Sequence, residues 1–259
     1  MLSLEEIKSY YPESMKYHSR FILREYLQYK ILEIIFNSKH ADALCFMGGT
    51  CLRIVHGNRR FSEDLDFDNI GIDGDGFREI AGEILSHLER EGYHVEIKTT
   101  MPGAWHCYIR FPKLLFREGL SGYEEEKILI QVDTEPQNYS YEPDRVILNR
   151  FEVFTTILTA PLPLLLAQKF YAIINRPRNK GRDFYDVVFL MGKGVLPEFS
   201  YLKEKAGISN TSELKDKVLN VCNKTDMFAM AADVEPFLFD SADRKKVLMF
   251  CDYLQASFH

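Results

Sequence analysis

Two aspartates separated by one residue, Asp64-Leu65-Asp66, lie 14 residues beyond a Gly48-Gly49-Thr50 turn. On a strand, residues i and i+2 project to one face, so the spacing predicts paired carboxylates with Leu65 and Phe67 turned into the core. Two carboxylates held together disfavour each other's ionisation unless a cation lies between them. Mg2+ (or Mn2+) suits such a pair, because it takes few carboxylates and completes its octahedron with water and phosphate oxygens. The glycines follow a short apolar run, Ala43–Met47, and open a helical pattern. Unhindered backbone N–H groups at that point favour phosphate oxygens. Asp133 ends Ile128-Leu-Ile-Gln-Val-Asp133, where residues 128, 130 and 132 form an apolar face and Asp133 shares the other with Leu129 and Gln131. It is a candidate third metal ligand, and three carboxylates on adjacent strands can hold two ions for phosphoryl chemistry. The plainer reading is an acidic strand edge that guards the sheet against aggregation.

A second group of candidates lies downstream. Leu162, Leu166, Lys169 and Ile173 fall in one stripe of a helix, which centres Lys169 on an apolar face. A lysine so placed snorkels, meets an anion in a cleft, or makes a structural salt bridge. From Lys169 to Asp183 the chain carries five basic residues and one acid, a cationic stretch that would attract a polyanion. Asp183 and Asp186 share a helical face, with either first-turn stabilisation or a chemical role open to them. Arg53 and Arg60 can each fork a phosphate or a carboxylate. Asp68, Asp73 and Asp75 lack the spacing and closing Glu of a calcium-binding EF-hand loop.

The elements that must position these groups follow from periodicity. Helical spacing runs from Glu13 to Asn37, from Thr50 to His56 and from Phe77 to Glu91, and strand patterns occupy 43–47, 64–68, 93–99, 105–111 and 127–133. That alternation predicts an α/β (α+β) domain with a mixed sheet over residues 1–155. Helical patterns near 161–175, 182–191, 212–222 and 243–257 predict a helical domain over 156–259. With 259 residues, 46% hydrophobic and 27% charged, the composition excludes collagen-like and wholly disordered chains. A net charge of −6 argues against a generally basic nucleic-acid coat. Five scattered cysteines without a C-x-x-C pair point to reduced thiols, and no apolar run reaches the length of a membrane span. A cytoplasmic location is therefore expected. No zinc or hydrolase motif is present.

The segments Gly48-Gly49-Thr50-x-Leu52-Arg53 and Arg60-Phe61-Ser62-x-Asp64-Leu65-Asp66-Phe67 together resemble the AbiEii/AbiGii toxin family, which includes the MenT toxins, within the DNA polymerase β nucleotidyltransferase superfamily. Lys169-x-x-Ala172-x-x-x-Arg176 and Arg182-Asp183-x-x-Asp186 continue the likeness. The resemblance implies a nucleotidyltransferase-like sheet flanked by helices, followed by a C-terminal helical bundle. It implies catalytic roles for Asp64, Asp66, Lys169 and Asp186, and metal ligation by Asp64, Asp66 and Asp133. Nucleotide binding would fall to Gly48, Gly49, Thr50, Arg53, Arg60, Ser62, Arg182 and Asp183. The implied activity is metal-dependent transfer of NMP from an NTP to an acceptor hydroxyl, by a toxin of a bacterial toxin–antitoxin system acting on tRNA, with an antitoxin as partner and no membrane. The alternatives are a small-molecule nucleotidyltransferase of the antibiotic-modifying type and a non-catalytic nucleotide-binding interaction module.

Overall fold

The computed structural model of the protein describes residues 1–101 and 103–257. Its helices are α1 (Leu4–Ser9), α2 (Ser19–Asn37), α3 (Gly48–Ile54), α4 (Gly74–Arg90), α5 (Leu114–Arg117), α6 (Leu162–Asn175), α7 (Gly181–Gly192), α8 (Phe199–Ala206), α9 (Thr211–Cys222), α10 (Met227–Val234), α11 (Lys245–Leu248) and α12 (Phe250–Ser257). Its strands are β1 (Leu44–Met47), β2 (Leu65–Asn69), β3 (Glu96–Thr100), β4 (Trp105–Phe111), β5 (Ile128–Glu135), β6 (Asp144–Arg150) and β7 (Val153–Thr159). The helical spacing that begins at Glu13 is split in the structure. Glu13–Met15 form a separate 3-10 turn behind Pro12, and α2 starts at Ser19.

The chain divides into two compact units. One comprises Met1–Cys51 and Ser62–Thr159; the other comprises Leu52–Phe61 and Ala160–His259. The division falls inside α3, and the chain rejoins the sheet unit at Ser62.

The first unit holds a seven-stranded sheet in the order β3-β4-β5-β2-β1-β7-β6. Pairs β2–β5 and β1–β7 are parallel and the others antiparallel, which makes the expected mixed sheet with flanking helices. Alternation along the strands decides what faces the helices. Phe67 meets Phe36 of α2 with ring centroids 6.1 Å apart, and Trp105 meets Phe77 of α4 at 5.6 Å. Cys107, Ile109, Ile130 and Val132 are buried among them. Asp66, His106, Tyr108, Arg110, Gln131 and Asp133 alternate with these residues and so occupy the opposite face.

Strands β6 and β7 add a hairpin to the five strands read from the sequence. Its turn passes through Phe151 at φ +56°, with no glycine or asparagine there to signal a hairpin. The Phe151 ring is held by Tyr10, Tyr26 and Tyr29, at centroid distances of 4.8, 5.3 and 5.3 Å. Aromatic packing thus offsets a backbone conformation that bulky residues rarely adopt.

The second unit is helical. Leu164, Leu165, Leu166, Phe170 and Ile173 of α6 are buried, and α6 packs on α7 and α8. Phe184 of α7 meets Phe250 of α12 edge-on at 4.9 Å. Helix α7 begins at Gly181, where an added Cβ would collide with the Met230 carbonyl oxygen of α10; only glycine permits that approach. The segment from Leu52 to Phe61 joins this unit through backbone hydrogen bonds of Phe61 N–H to Phe237 O and Phe239 N–H to Arg59 O. Among the described residues no helix is long and apolar enough to cross a membrane. The five cysteines are unpaired thiols.

Candidate active site

The predicted site residues fall into two groups, one in each unit. Gly48, Gly49, Thr50, Ser62, Asp64, Asp66 and Asp133 belong to the sheet unit; Arg53, Arg60, Lys169, Arg182, Asp183 and Asp186 belong to the helical unit.

In the sheet unit, β1 ends at Met47, opposite Asp66 of the antiparallel β2. The next residue, Gly48, turns the chain with φ +76° into α3. A Cβ at Gly48 would land on Asp66 Oδ2 and lie 2.9 Å from its Cγ, so glycine is what lets the turn and the carboxylate touch. The Thr50 side chain is buried and its hydroxyl donates to the Asp64 carbonyl, which ties the turn to the residue entering β2. Asp64 itself lies just ahead of the strand rather than within it. Gln28 of α2 secures the same approach from below, its amide donating to the carbonyls of Ser62 (3.1 Å) and Glu63 (2.8 Å).

Register then brings in the third acid. Asp66 pairs with Asp133 across the parallel β2–β5 ladder, and Asp133 pairs with His106 across β5–β4. Paired residues point to the same face, so Asp66, Asp133 and His106 form a row. His106 Nδ1 donates to Asp133 Oδ1 at 2.7 Å, and the Gln131 amide donates to both Asp133 oxygens at 2.8 and 2.9 Å. All three members of the row line a hollow of about 220 Å³, with Met47, Thr134 and Gln137 among its other walls. His106 and Gln131 were not singled out by the sequence. Strand register alone places His106 on Asp133, 27 residues away, whereas Gln131 stands two residues before Asp133 on the same strand face.

The third aspartate of the run has a different task. Asp68 is buried and accepts hydrogen bonds from Gln137 N–H and Tyr141 O–H, both at 2.8 Å. Asp73 caps α4 through Gly76 N–H at 2.8 Å.

Among the described residues no group of three or more His, Cys, Asp or Glu side chains is placed to hold a metal ion. Two carboxylates of the row, Asp66 and Asp133, are the groups that could contact a Mg2+-type ion, which needs few protein ligands. The pair supplies hard carboxylate oxygens side by side, with room beside them for the waters and phosphate oxygens that such an ion retains.

In the helical unit the candidates form a buried ionic cluster. Arg60 is 1% exposed and Asp186 0%. Arg60 Nε and Nη2 donate in a fork to Asp186 Oδ1 (2.7 Å) and Oδ2 (2.6 Å), and Asn58 adds a bond to Oδ1 at 2.8 Å. Lys169 Nζ lies 2.9 Å from Asp186 and 3.1 Å from Asp183, whose other oxygen takes Arg176 at 2.5 Å. Burial opposes charge on Asp186, but Arg60 and Lys169 outweigh it and lower its pKa to about 2. Burial likewise opposes charge on Lys169, and Asp186 with Asp183 hold its pKa above the ordinary lysine value. Of the three fates open to Lys169, this unit shows the salt bridge. Arg53 donates to Asn58 O at 3.2 Å and stacks on Phe239 at 4.5 Å, and Arg182 lies 5.0 Å over Phe237. Asn58 and Arg176 complete the cluster without having been read as site residues. Arg176 belonged to the cationic stretch, whereas nothing marked Asn58, 128 residues from its partner.

A family described as "Nucleotidyl transferase AbiEii toxin, Type IV TA system" matches residues 30–247. Three solved structures share the fold. MenT4, a nucleotidyltransferase toxin of Mycobacterium tuberculosis H37Rv, is 15% identical with a TM-score of 0.60 over 98% of this chain and 90% of its own. A putative nucleotidyltransferase of Helicobacter pylori is 17% identical with a TM-score of 0.57, covering 92% and 95%. JHP933 of H. pylori is 17% identical with a TM-score of 0.56, covering 92% of both chains. No curated protein sequence matches the chain.

Proposed function

Because the chain belongs to the AbiEii nucleotidyl transferase toxin family of Type IV toxin–antitoxin systems, we propose that it transfers NMP from an NTP to an acceptor hydroxyl of tRNA. The observation that carries this reading is the contact of Gly48 with Asp66, beside Asp133 on the neighbouring parallel strand. It sets the glycine turn against paired acids. Asp64, Asp66 and Asp133 would hold Mg2+ or Mn2+, which when bound neutralises charge on the reacting phosphates.

The protein's own groups do the positioning. The Gly48-Gly49 turn offers its amides to phosphate oxygens, and Thr50 fixes that turn to Asp64. In the helical unit, Asp186 and Asp183 keep Lys169 charged and oriented. Arg60, forked on Asp186, acts through that cluster. The acceptor oxygen attacks the α-phosphorus, the α–β P–O bond breaks, and pyrophosphate leaves with the electron pair while the hydroxyl proton passes to solvent. Catalysis is then positioning and electrostatics. A cognate antitoxin restrains the enzyme in the cytoplasm.

The test is incubation with each α-labelled NTP, Mg2+ and total tRNA, in parallel with aminoglycoside acceptors. Label should enter tRNA and be lost with Asp66→Asn. Label entering only the small acceptors moves the substrate class to antibiotics. Label entering nothing, or surviving Asp66→Asn, overturns the transferase reading.

A further inference from the structure

Beyond the carboxylate row, the open sheet face carries a second pattern that nucleotide transfer to a small acceptor would not need. Two residues along β4 from His106 stands Tyr108, and two further stands Arg110, so all three project to the same side. The register sets Lys98 of β3 and Gln131 of β5 on either flank of Tyr108. The Arg110 guanidinium lies 5.5 Å over the Tyr108 ring, and the His106 ring is 6.1 Å from it on the next step. Neither Lys98 nor Arg110 has a carboxylate partner among the described residues. The one acid opposite Arg110, Glu96, is taken by Lys127 at 2.8 Å.

A half-exposed aromatic flanked by two uncompensated cations is an unusual surface on a chain with net charge −6. Cations left without counter-ions on an open sheet await an anion, and the tyrosine supplies a flat stacking partner between them. The pattern runs continuously into Asp133 and Asp66. Two strand spacings and one two-residue step, about 10 Å and about 7 Å, separate Asp66 from Tyr108. That path suits a phosphodiester strand whose terminal hydroxyl reaches the acids while its preceding bases lie on the sheet.

We propose that the β3–β4–β5 face, through Lys98, Tyr108 and Arg110, is the platform on which the single-stranded 3′ end of the acceptor nucleic acid lies. The assignment rests on the transferase reading above and adds the surface that selects a polynucleotide acceptor. The Tyr108 ring and the Arg110 plane stack bases, Lys98 and Arg110 neutralise phosphates, and Gln131 stands beside them as a hydrogen-bonding edge. A single strand is the form that fits, because its bases are free to stack on side chains.

The test measures anisotropy of a 5′-fluorescein single-stranded RNA 12-mer of mixed sequence on the Asp66→Asn protein, which removes turnover, with a duplex of the same sequence as comparison. Lys98→Glu/Arg110→Glu should weaken binding at least about tenfold and lower the salt slope by about 1.4. Tyr108→Ala should weaken it about 5- to 150-fold, and Tyr108→Phe should retain it. NTP affinity, read by thermal shift, should be unchanged in all of them. Should the double reversal not fold, Lys98→Ala and Arg110→Ala, which break no ion pair, carry the same comparison. Wild-type-like RNA binding by these variants, equal binding of the duplex, or no RNA binding by the parent protein overturns the platform. The transferase reading stands or falls separately, on label transfer.

Discussion

Replacing Asp186 with Asn keeps the side-chain shape and removes the charge on which the helical cluster converges. Asp186 is fully buried and accepts from Arg60 at 2.6 and 2.7 Å, from Lys169 at 2.9 Å and from Asn58 at 2.8 Å. Without its charge the Arg60 guanidinium, 1% exposed, has no counter-ion left in contact, and Lys169 keeps only Asp183. Breaking a buried pair by removing one partner costs about 3–5 kcal/mol, because desolvation of the survivor is no longer offset. For a chain of this size that lowers Tm on the order of 10 °C. The pH dependence carries a sign. Asp186 has its folded pKa lowered from 3.8 to about 2, so its contribution is fully present above the unfolded pKa and is lost as pH falls through the folded one. The drop corresponds to roughly 2 kcal/mol. Differential scanning calorimetry of wild type and Asp186→Asn, at steps from about pH 7 to about pH 2, should therefore show a wide gap that narrows below about pH 4. The reasoning fails if the two proteins melt within about 2 °C of each other near neutrality, or if the gap stays constant down the acid limb.

Gly48→Ala should lower Tm by about 3–10 °C and abolish nucleotide transfer, since it combines a left-handed φ with a collision on Asp66; calorimetry and label transfer read the two effects. Asp66→Asn should instead leave Tm unchanged or raise it by up to about 3 °C, because it relieves the like-charge pair with Asp133, while transfer is lost. Thr50→Val should cost about 1–2 kcal/mol by leaving the Asp64 carbonyl without its buried donor, and amide exchange at residues 64–66 should quicken first.

The candidate residues were legible because their pattern is local. Gly48-Gly49-Thr50 after an apolar run and Asp64-Leu65-Asp66 before Phe67 state a turn and a strand face within a few residues, and the helices and strands around them follow from period alone. The hairpin of β6 and β7 was not legible. Its turn is a phenylalanine at φ +56°, whose ring is enclosed by three tyrosines far away in the sequence, Tyr10 at the end of α1 and Tyr26 and Tyr29 on α2. The alternation of carboxylate and hydrophobe also overstated the strand, which begins at Leu65 and leaves Asp64 ahead of it.

By itself, then, the sequence marked the candidate side chains and the elements that carry them, since propensity, period and capping act over neighbours in the chain. Tertiary structure decided the company each one keeps. Strand register set His106 on Asp133, and the grouping of Leu52–Phe61 with the C-terminal helices turned Arg60 from a candidate phosphate contact into the buried fork on Asp186. Such partners lie tens to more than a hundred residues apart. The free energy that pairs them comes from burying apolar faces and matching charges across the whole fold, and no local pattern records it.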